Sequence, residues 1–393
     1  MEYKIPWSGR AHYYTQLEID KVVEVMNEAP TLTQGKYLKE FENRFSQYIG
    51  SKNAFAVNNA TSALELTAQV CQFSKSDEII IPSHTYTSSA YPFIKAGAKI
   101  VWADIDFDTR VVNVETIKRC ISKNTKAIVV VHLYGYCAEM PEIVNLAKEN
   151  NLILIEDVAQ AMGSMINDRY AGTFGDFGIY SFHSHKNMTT LGEGGMLIVK
   201  DDETANYIPI LRHNGHCPFK YERDHYWKPA MGNVDLPIVN KKSIMPNNFC
   251  LGEIECALGT ILLDRIDQMN LTKRKRAIYF IDELKNYNEL QFHRVDTKRH
   301  NYHLLAAYNK SHDRDRFMKY ISENEGVQCA VQYYPLNRYD LYKKLDLNIA
   351  DCPNTDLFFD NMISFPFNHI MTDDDIEIML KSTKKAAEKT FIK

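Results

Sequence analysis

Three short runs in the first half of the chain, Lys99–Ala103, 127–132 and 152–155, are almost continuously apolar. A strand with one wet face alternates in polarity. A run without alternation is buried on both faces, as inside a mainly parallel sheet covered by helices. Ala54–Val57 and residues 78–81 are two further strand candidates. Between these runs, 61–73 and 142–150 carry apolar residues at helical spacing. The order of elements is therefore α/β.

The pattern changes after about residue 200. Residues 213–246 contain repeated breakers (Gly215, Pro218, Pro229, Gly232, Pro237, Pro246) and read as a long ordered loop, a class of segment that is often functional. A single long helix is expected over 252–284. With 393 residues the chain is long enough for two domains. We expect a large domain over 1–250 and a smaller α/β domain over 251–393, joined by that helix. There is no repeat and no Gly/Ser linker, so the two should pack tightly.

The formal net charge of −4 recruits neither nucleic acid nor an anionic membrane. No run approaches a membrane span, and Met1 to Arg10 lack an apolar signal region, which points to the cytoplasm. Eight scattered cysteines without a C-x-x-C pair suggest free thiols and no metal site.

Four features carry chemistry. Lys186 lies between the apolar run 178–182 and the glycine turn 192–195. A lysine packed there loses solvation, which lowers its pKa and frees a nucleophilic amine. Asp157, in Glu156-Asp157-Val158-Ala159-Gln160, ends a strand, where side chains of open α/β sheets face the ligand crevice. Ala60, Thr61 and Ser62 start a helix after another strand and suit a phosphate. Tyr86 follows a third strand end and can stack on a flat ring. Each has an ordinary alternative when taken alone: a surface lysine, an acidic helix cap, a plain N-cap, a core aromatic. A pyridoxal-phosphate site needs all four together.

The run Ser181-Phe182-His183-Ser184-His185-Lys186 with Gly192-Glu193-Gly194-Gly195, the Glu-Asp-x-Ala-Gln segment, and Val131-His132-Leu133-Tyr134-Gly135 resemble the DegT/DnrJ/EryC1/StrS aminotransferases. The resemblance runs from Thr33-Gln34-Gly35 to Ser364-Phe365-Pro366. It implies fold type I of the pyridoxal-phosphate transferases, with a mostly parallel seven-stranded sheet in the large domain and a smaller C-terminal α/β domain. It also implies roles. Lys186 matches the lysine that holds pyridoxal 5'-phosphate as a Schiff base. Asp157 matches the partner of the pyridine nitrogen, and Gln160 the residue near the ring hydroxyl. Ala60, Thr61, Ser62 and Ser181 match phosphate ligands, and Tyr86 the stacking aromatic. Asn248 matches a residue that reaches the phosphate of the partner subunit in a homodimer.

The resemblance weakens toward the substrate. Cys250 stands where the family usually has arginine, and Gln332 and Asn337 where histidine is frequent. The expected activity is amination of a keto sugar, nucleotide-linked by preference, with L-glutamate as donor. A small phosphorylated or free ketone is the alternative acceptor. Basic and aromatic residues of the long loop (Lys220, Arg223, His225, Trp227, Lys228) are candidates to compensate for the missing arginine. Some relatives have histidine in place of the lysine and dehydrate sugars. Here the lysine keeps its register, five residues after Ser181, with His185 beside it. A regulator without enzyme activity is a third reading, opposed by the intact lysine, acid and phosphate cup.

Overall fold

Ile79, Ile80 and Ile81 are solvent-free, and so are Ile128, Val129 and Val130. Burying such side chains contributes about 1.5–3 kcal/mol each, and it requires cover on both faces of the sheet. The computed structural model describes residues 2–219 and 232–391. Seven strands form the main sheet: β1 (Ala54–Val57), β2 (Glu78–Pro82), β3 (Lys99–Ala103), β4 (Thr125–Val131), β5 (Ile153–Asp157), β6 (Phe177–Ser181) and β7 (Gly195–Val199). Their order across the sheet is β1-β7-β6-β5-β4-β2-β3. The neighbours from β6 to β3 pair in parallel, and β7 pairs antiparallel with both β6 and β1. All five expected strands are present.

Helix α1 (Gln16–Glu28) comes first, and α2 (Lys36–Ile49), α3 (Ala60–Cys71) and α4 (Met140–Glu149) pack on this sheet. Thr15 and Glu18 close a reciprocal capping box on α1, and Gly50 ends α2 at φ 69°.

The single helix expected over 252–284 is two helices, α5 (Glu253–Leu262) and α6 (Ile266–Glu283). The turn between them aims Arg265 at the N-terminal segment. Its guanidinium pairs with the buried Glu18 and donates to the Tyr13 carbonyl at 3.0 Å. An unbroken helix would carry Arg265 away from both. Helix α5 packs on α1 and α2, so its buried face belongs to the first core.

A second core forms on α6, α7 (Arg314–Glu323), α8 (Asp373–Thr390) and a small antiparallel sheet, β8 (Leu290–Phe292), β9 (Leu305–Asn309) and β10 (Met362–Phe365). Ile5 also lies in this core and bridges to Val327. The chain therefore starts on the second core and crosses to the first.

The expected loop 213–246 holds two short pairings, His216–Cys217 with Asn233–Val234, and Ile238–Val239 with Lys242–Ser243. Lys220, Arg223, His225, Trp227 and Lys228 lie outside the described residues. All eight cysteines are free. Among the described residues, no helix is long and apolar enough to cross a membrane, and no side-chain cluster could hold a metal ion.

Candidate active site

The carboxyl ends of β1, β2, β4, β5 and β6 open onto one cleft of about 450 Å³. Successive residues of a strand point to opposite faces, and the end of β5 uses this. Asp157 turns into the cleft. Its Oδ2 accepts from Ser89 Oγ at 2.7 Å and its Oδ1 from the Ala159 amide at 3.0 Å. Glu156 turns the other way and is fully buried. It accepts from the amides of Gly172, Phe174 and Gly175 at 2.7–2.8 Å and from His132 Nε2 at 3.0 Å. The Ala138 amide donates to His132 Nδ1, so the ring proton sits on Nε2, facing Glu156.

Lys186 follows β6 on a loop closed by Ser184 N to Gly192 O and by Lys186 N to His183 O, at 2.9 and 2.8 Å. Gly194 has φ +155°, and a Cβ there would collide with Thr190 Oγ1. Gly195 lets β7 approach the Asn59–Ala60 peptide at the head of α3, since a Cβ would lie 2.6 Å from the Asn59 carbonyl carbon. The lysine loop and the α3 head are thus brought together by two glycines. Burial lowers the Lys186 ammonium to about 8, against the opposing pull of the Asp157 carboxylate.

Ala60, Thr61, Tyr86, Asp157, Gln160, Ser181 and Lys186 all line the cleft. Thr61 Oγ1 donates to Ser88 Oγ at 2.9 Å. Gln160 accepts from the Tyr134 amide and donates to the Tyr333 hydroxyl. The Tyr86 ring is 57% exposed and stands edge-on to Tyr333, 6.1 Å away. Ser62 is not in the lining. It is buried, its hydroxyl donates to Asn58 Oδ1 at 2.6 Å, and its amide donates to Asn59 Oδ1. Asn248 also lies outside the cleft, exposed and bridged to His213.

An amine freed by burial, a buried carboxylate on the same floor, and hydroxyls beside a helix N-terminus fit an aldehyde, a pyridine nitrogen and a phosphate in one planar cofactor. Residues 13–383 match the model of the DegT/DnrJ/EryC1/StrS aminotransferase family. The chain belongs to this family. It is a pyridoxal-phosphate-dependent aminotransferase with the type I fold.

A GDP-perosamine synthase of Vibrio cholerae is 30% identical over 349 residues, 88% of this chain and 89% of that one. The structure of Helicobacter pylori PseC, described as an aminotransferase of pseudoaminic acid biosynthesis, superposes with a TM-score of 0.87 at 25% identity, covering 99% and 100% of the two chains. The fold is shared with an Escherichia coli GDP-4-keto-6-deoxy-D-mannose-3-dehydratase (TM-score 0.83, 23% identity, 98% and 100% covered).

The other wall of the aminotransferase cleft comes from elsewhere in the chain. Trp7, Ser8, Arg10 and Ala11 form an N-terminal strap, and His303, Gln332 and Tyr333 come from the C-terminal part. The strap is pinned by Trp7 N to Gln328 Oε1 (3.0 Å), Ala11 N to Ser184 O (3.1 Å) and Tyr14 OH to Thr189 O (3.3 Å). Among the described residues Arg10 is the only arginine of the lining, and no carboxylate pairs with it. Its Nε donates to the His12 carbonyl, and its guanidinium lies 4.9 Å from the Tyr13 ring centroid.

Sequence reasoning missed Arg10, because the contacts that fix the strap join residues more than 170 positions apart. It also missed Ser89, for which the run Thr87-Ser88-Ser89 beside Tyr86 was a usable signal.

Cys250 is half-buried and its thiol, raised by burial, donates to the Arg212 carbonyl. Arg212 does not stand in for the absent arginine, since it is buried and paired with Glu42 and the Ala56 carbonyl. Gln332 lines the cleft with its Nε2 unpartnered, and Asn337 lies behind it with Oδ1 unpartnered.

Proposed function

We propose that this aminotransferase converts a nucleotide-linked keto sugar to an amino sugar, with L-glutamate as amino donor, in the synthesis of a surface polysaccharide. The observation that carries the reading is Arg10, an unpaired guanidinium at the mouth of the cleft, matched in geometry to a phosphate. The name of the Vibrio cholerae relative, GDP-perosamine synthase, agrees with it.

Pyridoxal phosphate, when bound, supplies an aldehyde that takes up the amino group and a ring that accepts the electron pair left at the donor Cα. The residues do the rest. Lys186 Nζ would hold the aldehyde carbon of the cofactor, and as a free amine, which burial favours near neutral pH, it would take the proton from the donor Cα. Asp157 would hold the proton on the pyridine nitrogen, its carboxylate fixed by Ser89 and the Ala159 amide. Gln160 would meet the ring hydroxyl, Ala60, Thr61 and Ser181 the phosphate, and Tyr86 the ring, all from the lining of the cleft. Ser62 supports the cup from behind by fixing Asn58.

We further infer a homodimer. Ile19, Val23 and Met26 of α1 are 45, 49 and 60% exposed, an apolar face suited to a second copy, and Asn248 would reach the partner's phosphate from outside its own cleft. Mixing Lys186→Ala with Asn248→Ala protein should restore activity through hybrid dimers.

The decisive assay follows loss of the pyridoxamine band with nucleotide-linked 3-keto and 4-keto sugars, then with small phosphorylated ketones. Turnover of a small ketone with no response to any nucleotide sugar would overturn the reading. Borohydride should fix the cofactor on Lys186. A product that lost oxygen without gaining nitrogen would mark the dehydratase chemistry instead.

A further inference from the structure

Lys273, on α6, is 3% exposed, an unusual place for a lysine. Its Nζ donates to Asn187 Oδ1 at 3.0 Å and to the His303 carbonyl at 3.3 Å, and lies 5.5 Å from the Phe367 ring centroid. No carboxylate offsets its charge; burial alone acts on it and lowers it to about 7. A buried ammonium without an anion costs stability, so a fold that keeps one spends free energy on something else.

What Lys273 touches indicates what that is. Asn187 is the residue after Lys186, and both ends of its amide are committed: Oδ1 to Lys273, and Nδ2 to Asn270 Oδ1 at 2.8 Å. Asn270, one turn earlier on α6, donates to the Met162 carbonyl at 2.9 Å. Asn301 donates to that same carbonyl and to the Gln160 carbonyl. One chain of hydrogen bonds thus runs from the lysine loop to the Gln160 loop beneath the cleft floor. His303 and Phe367, the other neighbours of Lys273, both line the cleft.

We propose that Lys273 is the positioning residue of Lys186, holding the loop beside it through Asn187. The proposal rests on the reading of Lys186 as the amine that is freed and recaptured in each cycle. A lysine fixed by its cofactor needs no such anchor; a free one must keep its loop in place while it moves a proton. Lys273 serves that need because it donates both to the loop, at Asn187, and to the His303 carbonyl of the facing wall.

The test reads Lys186 in cofactor-free protein. Trace acetylation with acetic anhydride across a pH series, quantified on the Lys186 peptide by mass spectrometry, gives the midpoint of its amine. The wild-type midpoint should fall near 8. Lys273→Met should raise it, because a loosened loop gives the Lys186 amine back part of its solvation. In loaded protein the same variant should lower kcat of both half-reactions about tenfold, the equivalent of one strong hydrogen bond, with little change in the donor KM. Asn187→Ala should raise the midpoint and lower kcat as Lys273→Met does, and the double variant should be no slower than either single one. Lys273→Arg should hold the midpoint at the wild-type value. Additive losses in the double variant, or a shifted melting temperature with unchanged midpoint and kcat, would overturn the proposal. If Lys273→Met does not fold, Lys273→Arg and Asn187→Ala decide it. Recovery of the borohydride-fixed cofactor on a different lysine would instead defeat the reading of Lys186.

Discussion

The two walls of the cleft are built differently. On the sheet side the acids and the amide of the floor have protein partners: Asp157 has Ser89 and Ala159, Gln160 has Tyr134 and Tyr333, and Glu156 behind them has four donors. On the facing side, among the described residues, Arg10 has no carboxylate, and Gln332 keeps an unpartnered Nε2 in the lining. Buried polar groups are normally satisfied, so an orphan lining a cleft is a place for a ligand to supply the partner. The sheet side presets the chemistry and the facing side selects the acceptor.

That division breaks most visibly at Lys186. Lys186→Ala should stop multiple turnover, with a loss of about 10³-fold or more, while α/β circular dichroism is retained. Normal turnover by this variant would remove the lysine from the mechanism. Asp157→Asn keeps the shape but loses the anion and should cost about 10²–10³-fold in kcat of both half-reactions. A variant with most of its kcat would make Asp157 a helix cap only.

Arg10→Ala addresses the opposite wall. It should raise KM for the acceptor half-reaction about 10-fold to 100-fold, as expected for loss of a charge-assisted bond to phosphate, and leave the donor half-reaction unchanged. An equal effect on both half-reactions would erase the distinction between the walls.

The smallest catalytic effect belongs to the seam between them. Tyr134 OH bonds His84 Nε2 and donates to the Gln332 carbonyl, both at 2.7 Å. Tyr134→Phe should cost about 1–3 kcal/mol of stability in a denaturant titration, because two buried groups lose a partner, with kcat nearly unchanged.

The sheet was legible because burial on both faces writes an apolar run into the sequence. β7, Gly195–Val199, was not read as a strand: its glycines suggest a turn, and its antiparallel place between β1 and β6 is a tertiary fact. The break at Leu263–Arg265 was invisible for a similar reason, since helical spacing continues across it and only Glu18, about 247 positions away, explains it. In the site, the residues on strand ends were legible, because strand ends of an α/β sheet have one destination. Nothing in the sequence sets Lys273 apart from the other basic residues of α6; only its burial does.

The end of β5 sets a condition on how this gene can change. Glu156 and Asp157 are neighbours with opposite destinations, one clamping the 172–175 turn and the other facing the cleft. What separates a scaffold anion from a catalytic one is the parity of a count along the strand. Deleting or inserting one residue in 152–155 would exchange the two positions, leaving a longer side chain in the cleft and a shorter one under three amides. Substitutions in β5 are graded in their effect, but a single-codon indel there is a complete inversion. Length variation among functional descendants should therefore be confined to the loops beyond this strand.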